Sequence, residues 1–195
     1  IDLSEAGAQP MVSADRRFTI TFNGEIYNYQ ALRDQLCAQG VQFRSHSDTE
    51  VLLHLYALKG EAMVHDLRGM YAFAIWDDVA KTLFLARDPY GIKPLFYADS
   101  TGVFRFASQV KALLAGGAVS RNVEPAALAG FLVWGSVPEP FTFYEGISAL
   151  PAGHTLLVTR SGVGTPRQFW DLAPVIAHSM QEAKGLAPGK ELGVL

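Results

Sequence analysis

FNGEIYNY, residues 22–29, marks the point where an alternating segment gives way to a helically spaced one. Upstream, residues 17–22 set Phe18, Ile20 and Phe22 on one side and Thr19 and Thr21 on the other, the period of a half-buried strand. Asn23 and Gly24 are therefore expected at a strand's end. Downstream, Ala31, Leu32, Gln35, Leu36 and Gln39 fall at helical spacing and Gly40 stands as a stop, so a helix is expected over residues 30–39 with Asn28 as its cap. Asn-Gly after an alternating strand is also the strongest short hairpin signal, and that reading competes with strand, turn, helix. The chemistry of the stretch is that of a small-molecule site. Gly24 has no side chain to keep a ligand from its backbone N–H, Asn23 offers an amide NH2 beside it, and two converging donors can hold an oxyanion. Glu25 adds an acceptor-only carboxylate suited to an ammonium group.

Composition narrows the function classes. A chain of 195 residues with 49% hydrophobic and 11% aromatic content supports one globular domain with a substantial core, here followed by a tail. Sixteen Lys and Arg against 19 Asp and Glu give a net charge of −3 with no basic run, which argues against nucleic acid and anionic membranes as partners. No apolar run is long enough to cross a bilayer and the first residues carry no leader pattern, so a cytoplasmic location is expected. Cys37, the single cysteine, precludes an intramolecular disulfide, and its place beside Leu36 suggests a packed or half-buried thiol. The five histidines are scattered without metal-ligand spacing and read as surface or capping residues.

Residues 1–15 read as a strand end and a loop, and VQFRS (41–45) as a short strand. HSDTEVLLHLYALKG opens a second helix with a capping box, Ser47 and Glu50, which leaves Asp48 in the first turn. On spacing alone Asp48 is better explained by helix-end electrostatics than by ligand contact. Residues 69–77 and 81–88 are expected to pair antiparallel at the centre of a sheet, and Arg87 with Asp88 to brace the Pro-Tyr-Gly turn that follows. Further strands are expected at 102–108, 154–160 and 165–171, and short helices at 109–115 and 125–133, around a Pro- and Gly-rich loop at 135–146. Strands, two helices in series, then more strands give an α+β class.

NGEIYN, SDTE, LRGMYAFAIWD, ARDPYGIKPLFY and FASQVKAL, in this order, resemble the glutamine amidotransferase domain of asparagine synthetases over residues 1–171. FLVWGSVPEPFTFYEGISALPAGHTLLV resembles that branch in particular. The resemblance implies an N-terminal nucleophile hydrolase-like αββα sandwich that hydrolyses L-glutamine and supplies ammonia to activated aspartate. It implies that Asn23, through its side chain, and Gly24, through its N–H, form the oxyanion hole. It also implies that Glu25 and Asp48 hold the glutamine α-ammonium, which reverses the spacing-based reading of Asp48.

The departures carry expectations of their own. The family's nucleophile is a cysteine at the mature N-terminus, whereas residue 1 is Ile, and IDLSEAGAQPM resembles a segment well downstream of that cysteine and of the arginine for the substrate carboxylate. Cys37, internal and helical, is no substitute. The sandwich is thus expected to be incomplete at its N-terminus and the 195 residues inactive alone, with exposed edges that favour aggregation or a homodimer. Residues 172–195 are expected to form a tail or linker toward a synthetase domain, where ATP and Mg2+ would bind; no cofactor or metal is expected in this chain. Gln109 stands where the family more often has Glu. The alternative is a non-catalytic module that has lost its nucleophile, as in β-lactam synthetase-like relatives.

Overall fold

The computed structural model describes residues 4–185. In chain order the elements are β1 (Met11–Val12), β2 (Phe18–Ile26), α1 (Tyr29–Ala38), α2 (Asp48–Lys59), β3 (Gly69–Asp77), β4 (Thr82–Arg87), β5 (Phe96–Ser100), β6 (Val103–Ala107), α3 (Val110–Ala115), α4 (Pro125–Trp134), β7 (Ile147–Ala149), β8 (His154–Thr159), β9 (Gly162–Val163), β10 (Arg167–Gln168) and α5 (Leu172–Gly185). One sheet runs β1-β2-β3-β4-β8-β10 with β9 paired to β8, and a three-stranded sheet runs β6-β5-β7.

The layering follows from what alternates along β3. Tyr71, Phe73 and Ile75 point to one side, where they meet Ile20 and Ile26 of β2, Leu32 and Leu36 of α1, and Leu52 and Leu55 of α2. Ala72 and Ala74 point to the other, where their small side chains admit the second sheet and its neighbours Leu95, Tyr97, Phe106 and Leu150. On the far side of the second sheet Ala98 and Ile147 pack on Leu113 of α3. Helices, sheet, sheet, helix is therefore the order of layers, as expected for an αββα sandwich. β3 and β4 do pair antiparallel in the middle of the larger sheet, with Ala74 opposite Leu85.

Several local expectations are corrected. No hairpin forms at Asn23-Gly24: β2 does not end there but runs to Ile26, pairing throughout with β3, Asn23 opposite Ala72 and Gly24 opposite Tyr71. Asn28 precedes α1 but does not cap it with its side chain, which instead accepts from the Arg68 N–H (3.0 Å) and donates to the Asp66 carbonyl (2.8 Å). VQFRS is not a strand. Its Arg44 and Ser45 N–H groups are taken by the buried Glu50 carboxylate at 2.9 and 2.7 Å, so these two are not available to a sheet partner. Ser47 caps α2 through the Thr49 N–H, while Glu50 reaches back past Ser47 to Ser45, so only half of the capping box is realised. Burial pushes the Glu50 pKa up, but the bonds from Ser45 and Arg44 and the neighbouring His54 outweigh it and leave the group below the usual range. His54 itself is lowered by burial despite Glu50 at 3.7 Å.

Cys37 is exposed, because Leu32 and Leu36 take the buried face of α1 and the next residue turns away from it. Residues 154–160 and 165–171 do contribute β8 and β10, although β10 spans only two residues. Beyond Trp170 the chain enters α5, where Asp171 accepts from the Ala173 N–H (3.0 Å) and Leu172, Val175, Ile176 and Met180 are exposed. Residues 1–3 and 186–195 of the expected first loop and tail lie outside the described residues.

Candidate functional site

The direction of the N–H groups along β2 builds the site. In a strand successive N–H groups point to opposite edges. Tyr27, one residue past the strand, donates to the Arg68 carbonyl on the β3 side at 2.7 Å. The even-numbered N–H groups face away from β3: Phe22 donates to Gln9 Oε1 (2.6 Å) and Ile26 to Asp48 Oδ2 (3.1 Å). Gly24 lies in phase between them, so its N–H faces the same edge, which β1 leaves uncovered because it pairs only as far as Ile20. The result is a row of three edge donors with a side-chain acceptor on each of the outer two.

Gly24 is required there by close approach as well as by access. Its φ is +156°, and a Cβ would run into the Met70 carbonyl oxygen and come within 2.7 Å of Tyr71 Cα. Two residues along, Gly69 of β3 also has φ +156°, and its Cβ would run into the Glu25 carbonyl oxygen. The two strands are pinched together at this point, each with a glycine against the other's backbone.

Asn23 points to the opposite side from Ile20 and Ile26, into the space between the sheets. Its Nδ2 donates to Ser108 Oγ at 3.1 Å, a contact from β2 to the residue after β6. A cavity of about 190 Å3 opens beside this pair, between Thr21 and Ala72 on one side and Leu95 and Phe106 on the other. Gln9 and Ser108 line it together with Asn23, and sequence reasoning singled out neither. Ser108 lies within the FASQ motif, so the motif was visible while its contact, 85 residues away in the chain, was not.

Both carboxylates stand at the C-terminal end of the donor row. The Glu25 side chain is exposed and, among the described residues, has no hydrogen-bond or ion-pair partner. Asp48 sits half-buried at the first position of α2 with one oxygen committed to the Ile26 N–H. The site therefore has N–H donors at its middle and carboxylate at one end, an arrangement that suits a ligand with a developing oxyanion and an ammonium group.

Arg87 and Asp88 form a brace that extends well beyond their turn. Arg87 is buried and donates to the carbonyls of Gly91 (2.8 Å), Lys93 (2.9 Å) and Leu150 (2.7 Å) and to Glu139 (2.8 Å). Asp88, with no exposed surface, accepts from the N–H groups of Tyr71, Tyr90, Ile92 and Lys93. Among the described residues no three His, Cys, Asp or Glu side chains are grouped to hold a metal, and no helix is long and apolar enough to cross a membrane.

The family described as "Glutamine amidotransferase domain" matches residues 1–170. Asparagine synthetase [glutamine-hydrolyzing] 3 of Bacillus subtilis is 39% identical over 171 residues, 86% of this chain and 28% of that protein. Asparagine synthetase [glutamine-hydrolyzing] 1 of the same organism is 40% identical over 161 residues, 81% of this chain and 25% of that protein. The chain thus spans about a quarter of the length of these relatives. Among solved structures, glutamine phosphoribosylpyrophosphate amidotransferase from B. subtilis, complexed with ADP and GMP, superposes with a TM-score of 0.60 at 24% identity, covering 85% of this chain and 32% of that one.

Proposed function

This chain belongs to the glutamine amidotransferase domain family, with the αββα sandwich of the N-terminal nucleophile hydrolases, and on that premise we propose that it forms the glutamine-hydrolysing part of an asparagine synthetase. The reaction converts the side-chain amide of L-glutamine and water to glutamate and ammonia. In this reading the Asn23 Nδ2 and the Gly24 N–H donate to the oxygen that becomes negative when the amide carbon turns tetrahedral. A positioned donor of this kind is worth about 2.7–4 kcal/mol of barrier. Glu25 and Asp48 Oδ1, which otherwise accepts only a long bond from the Ser47 hydroxyl (3.5 Å), accept from the α-ammonium and fix the register of the substrate along the strand edge. The observation that carries the reading is the Gly24 N–H, held in phase between two N–H groups that already donate to side chains, with the Asn23 amide beside it.

The attacking thiolate is assigned to the family's N-terminal cysteine, and Cys37, exposed on α1, is given no part in it. Residues 1–171 are taken as the amidotransferase domain and residues 172–195 as the way into a synthetase domain of the same polypeptide. ATP, Mg2+ and the aspartate that receives the ammonia are assigned to that domain, and the protein to the cytoplasm. The test is glutamate release from glutamine, measured on the complete gene product and on residues 1–195. Release by the complete product alone is expected. Release by neither would replace this reading with that of a non-catalytic module, and release by residues 1–195 would overturn the assignment of the nucleophile.

A further inference from the structure

The Asn23 side chain is the least constrained member of the donor pair. Gly24 offers a backbone N–H whose direction the β2–β3 ladder sets, whereas an asparagine amide turns about a broad, two-fold terminal torsion. Asn23 is exposed, and Ser108 is the one partner recorded for its side chain among the described residues. Ser108 is itself firmly placed. It follows β6, which pairs along its whole length with β5 (Val103 opposite Ser100, Ala107 opposite Phe96), and it precedes Gln109, the N-cap residue of α3.

We propose that Ser108 is a positioning residue for glutamine hydrolysis: its hydroxyl oxygen holds one N–H of the Asn23 amide and thereby aims the other at the oxyanion. This rests on the amidotransferase reading above. The amide nitrogen carries two hydrogens, and with Ser108 Oγ accepting one at 3.1 Å the second remains for the substrate. Without that acceptor the amide is free to turn over and present Oδ1 to the developing negative charge, which repels it. Ser108 does not touch the substrate; it acts through Asn23. The contact also ties the oxyanion hole to the second sheet, so the spacing of the two sheets sets the aim of the donor.

The experiment is steady-state glutaminase kinetics on the complete gene product with Ser108→Ala, Ser108→Thr, Asn23→Ala and the Ser108→Ala/Asn23→Ala pair. Losing a whole donor costs about 10²–10³ in kcat, so misaiming one is expected to lower kcat about 10-fold, with KM changed by less than about 2-fold. Ser108→Thr, which keeps the acceptor, is expected to restore most of kcat. In the Asn23→Ala background Ser108→Ala should add less than about a further 2-fold, because the group it aims has gone. Should Ser108→Ala melt earlier than the parent, Ser108→Cys gives the comparison, since it fills the same space with a weak acceptor. Equal kcat for Ser108→Ala and the parent overturns the proposal, as does an undiminished effect in the Asn23→Ala background. An inactive parent overturns the glutaminase reading instead, and the two failures are thereby told apart.

Discussion

Replacing Gly24 by alanine tests the pinch between β2 and β3 independently of any chemistry. The new Cβ would meet the Met70 carbonyl oxygen and Tyr71 Cα, both backbone atoms in the middle of the larger sheet, and would sit on a backbone with φ +156°. Holding a non-glycine residue in a sparsely populated backbone region costs about 1–3 kcal/mol. Forcing a methyl group into space that rigid neighbours already fill adds about 1–3 kcal/mol. Together these predict a loss of about 2–5 kcal/mol for Gly24→Ala, or a melting temperature lower by roughly 5–15 °C in a chain of this size. Gly40→Ala is the control: φ is +89° but nothing lies within 4 Å of the added Cβ, so it carries the backbone cost alone, about 1–3 kcal/mol. Gly69→Ala should resemble Gly24→Ala, and the double variant should cost less than the sum, because strands parted at one glycine have already made room at the other. Urea denaturation followed by circular dichroism measures all four. If Gly24→Ala loses no more stability than Gly40→Ala, the close approach of the strands is not what demands glycine, and the reasoning fails.

Three further outcomes are expected. Asp48→Asn keeps an oxygen for the Ile26 N–H but removes the charge facing the substrate, so KM for glutamine in the complete gene product should rise about 10-fold or more with kcat little changed; an unchanged KM would remove Asp48 from the substrate clamp. Arg17 hydrogen bonds, and then the N–H groups of Ala80 and Val79, hold Asp77 down at about 2, so this contribution to stability is complete above about pH 4 and is lost as the pH falls from 3.8 toward 2. Arg17→Ala should flatten that part of the acid-denaturation curve, and an identical curve would contradict the assignment. Arg87→Lys cannot reach three carbonyls and Glu139 from one ammonium and should cost about 3–5 kcal/mol in denaturant; a loss below 1 kcal/mol on that scale would mean that the brace is dispensable.

The central strands were legible because they are buried on one or both faces and their residues report it. Phe18, Ile20 and Ile26 mark one side of β2, and the long apolar run from Tyr71 to Ile75 marks a strand covered on both. What misled was local pattern overridden by partners distant in the chain. VQFRS alternates like a strand, yet Glu50 takes the N–H groups of Arg44 and Ser45; Asn28 stands at a helix start, yet it ties to Asp66 and Arg68. β7 escaped notice because its three residues, set between Gly146 and Leu150, carry too short a pattern. The stretch from Leu172 did carry one, since Leu172, Val175, Ile176 and Met180 share a helical face after Asp171, and the helix could have been read from it. Of the site, Asn23, Gly24, Glu25 and Asp48 were named in advance, whereas Gln9 and Ser108 depend on which strand edge and which sheet come to face them.

The alternation of donors along β2 also limits how the protein can change length. Between Phe22, held by Gln9, and Ile26, held by Asp48, every second N–H belongs to the open edge and the others to β3. One residue gained or lost in this window would hand the Gly24 N–H to the ladder and turn the Asn23 side chain to the helical side. Natural or engineered variants should therefore add or delete residues here only in pairs, or not at all.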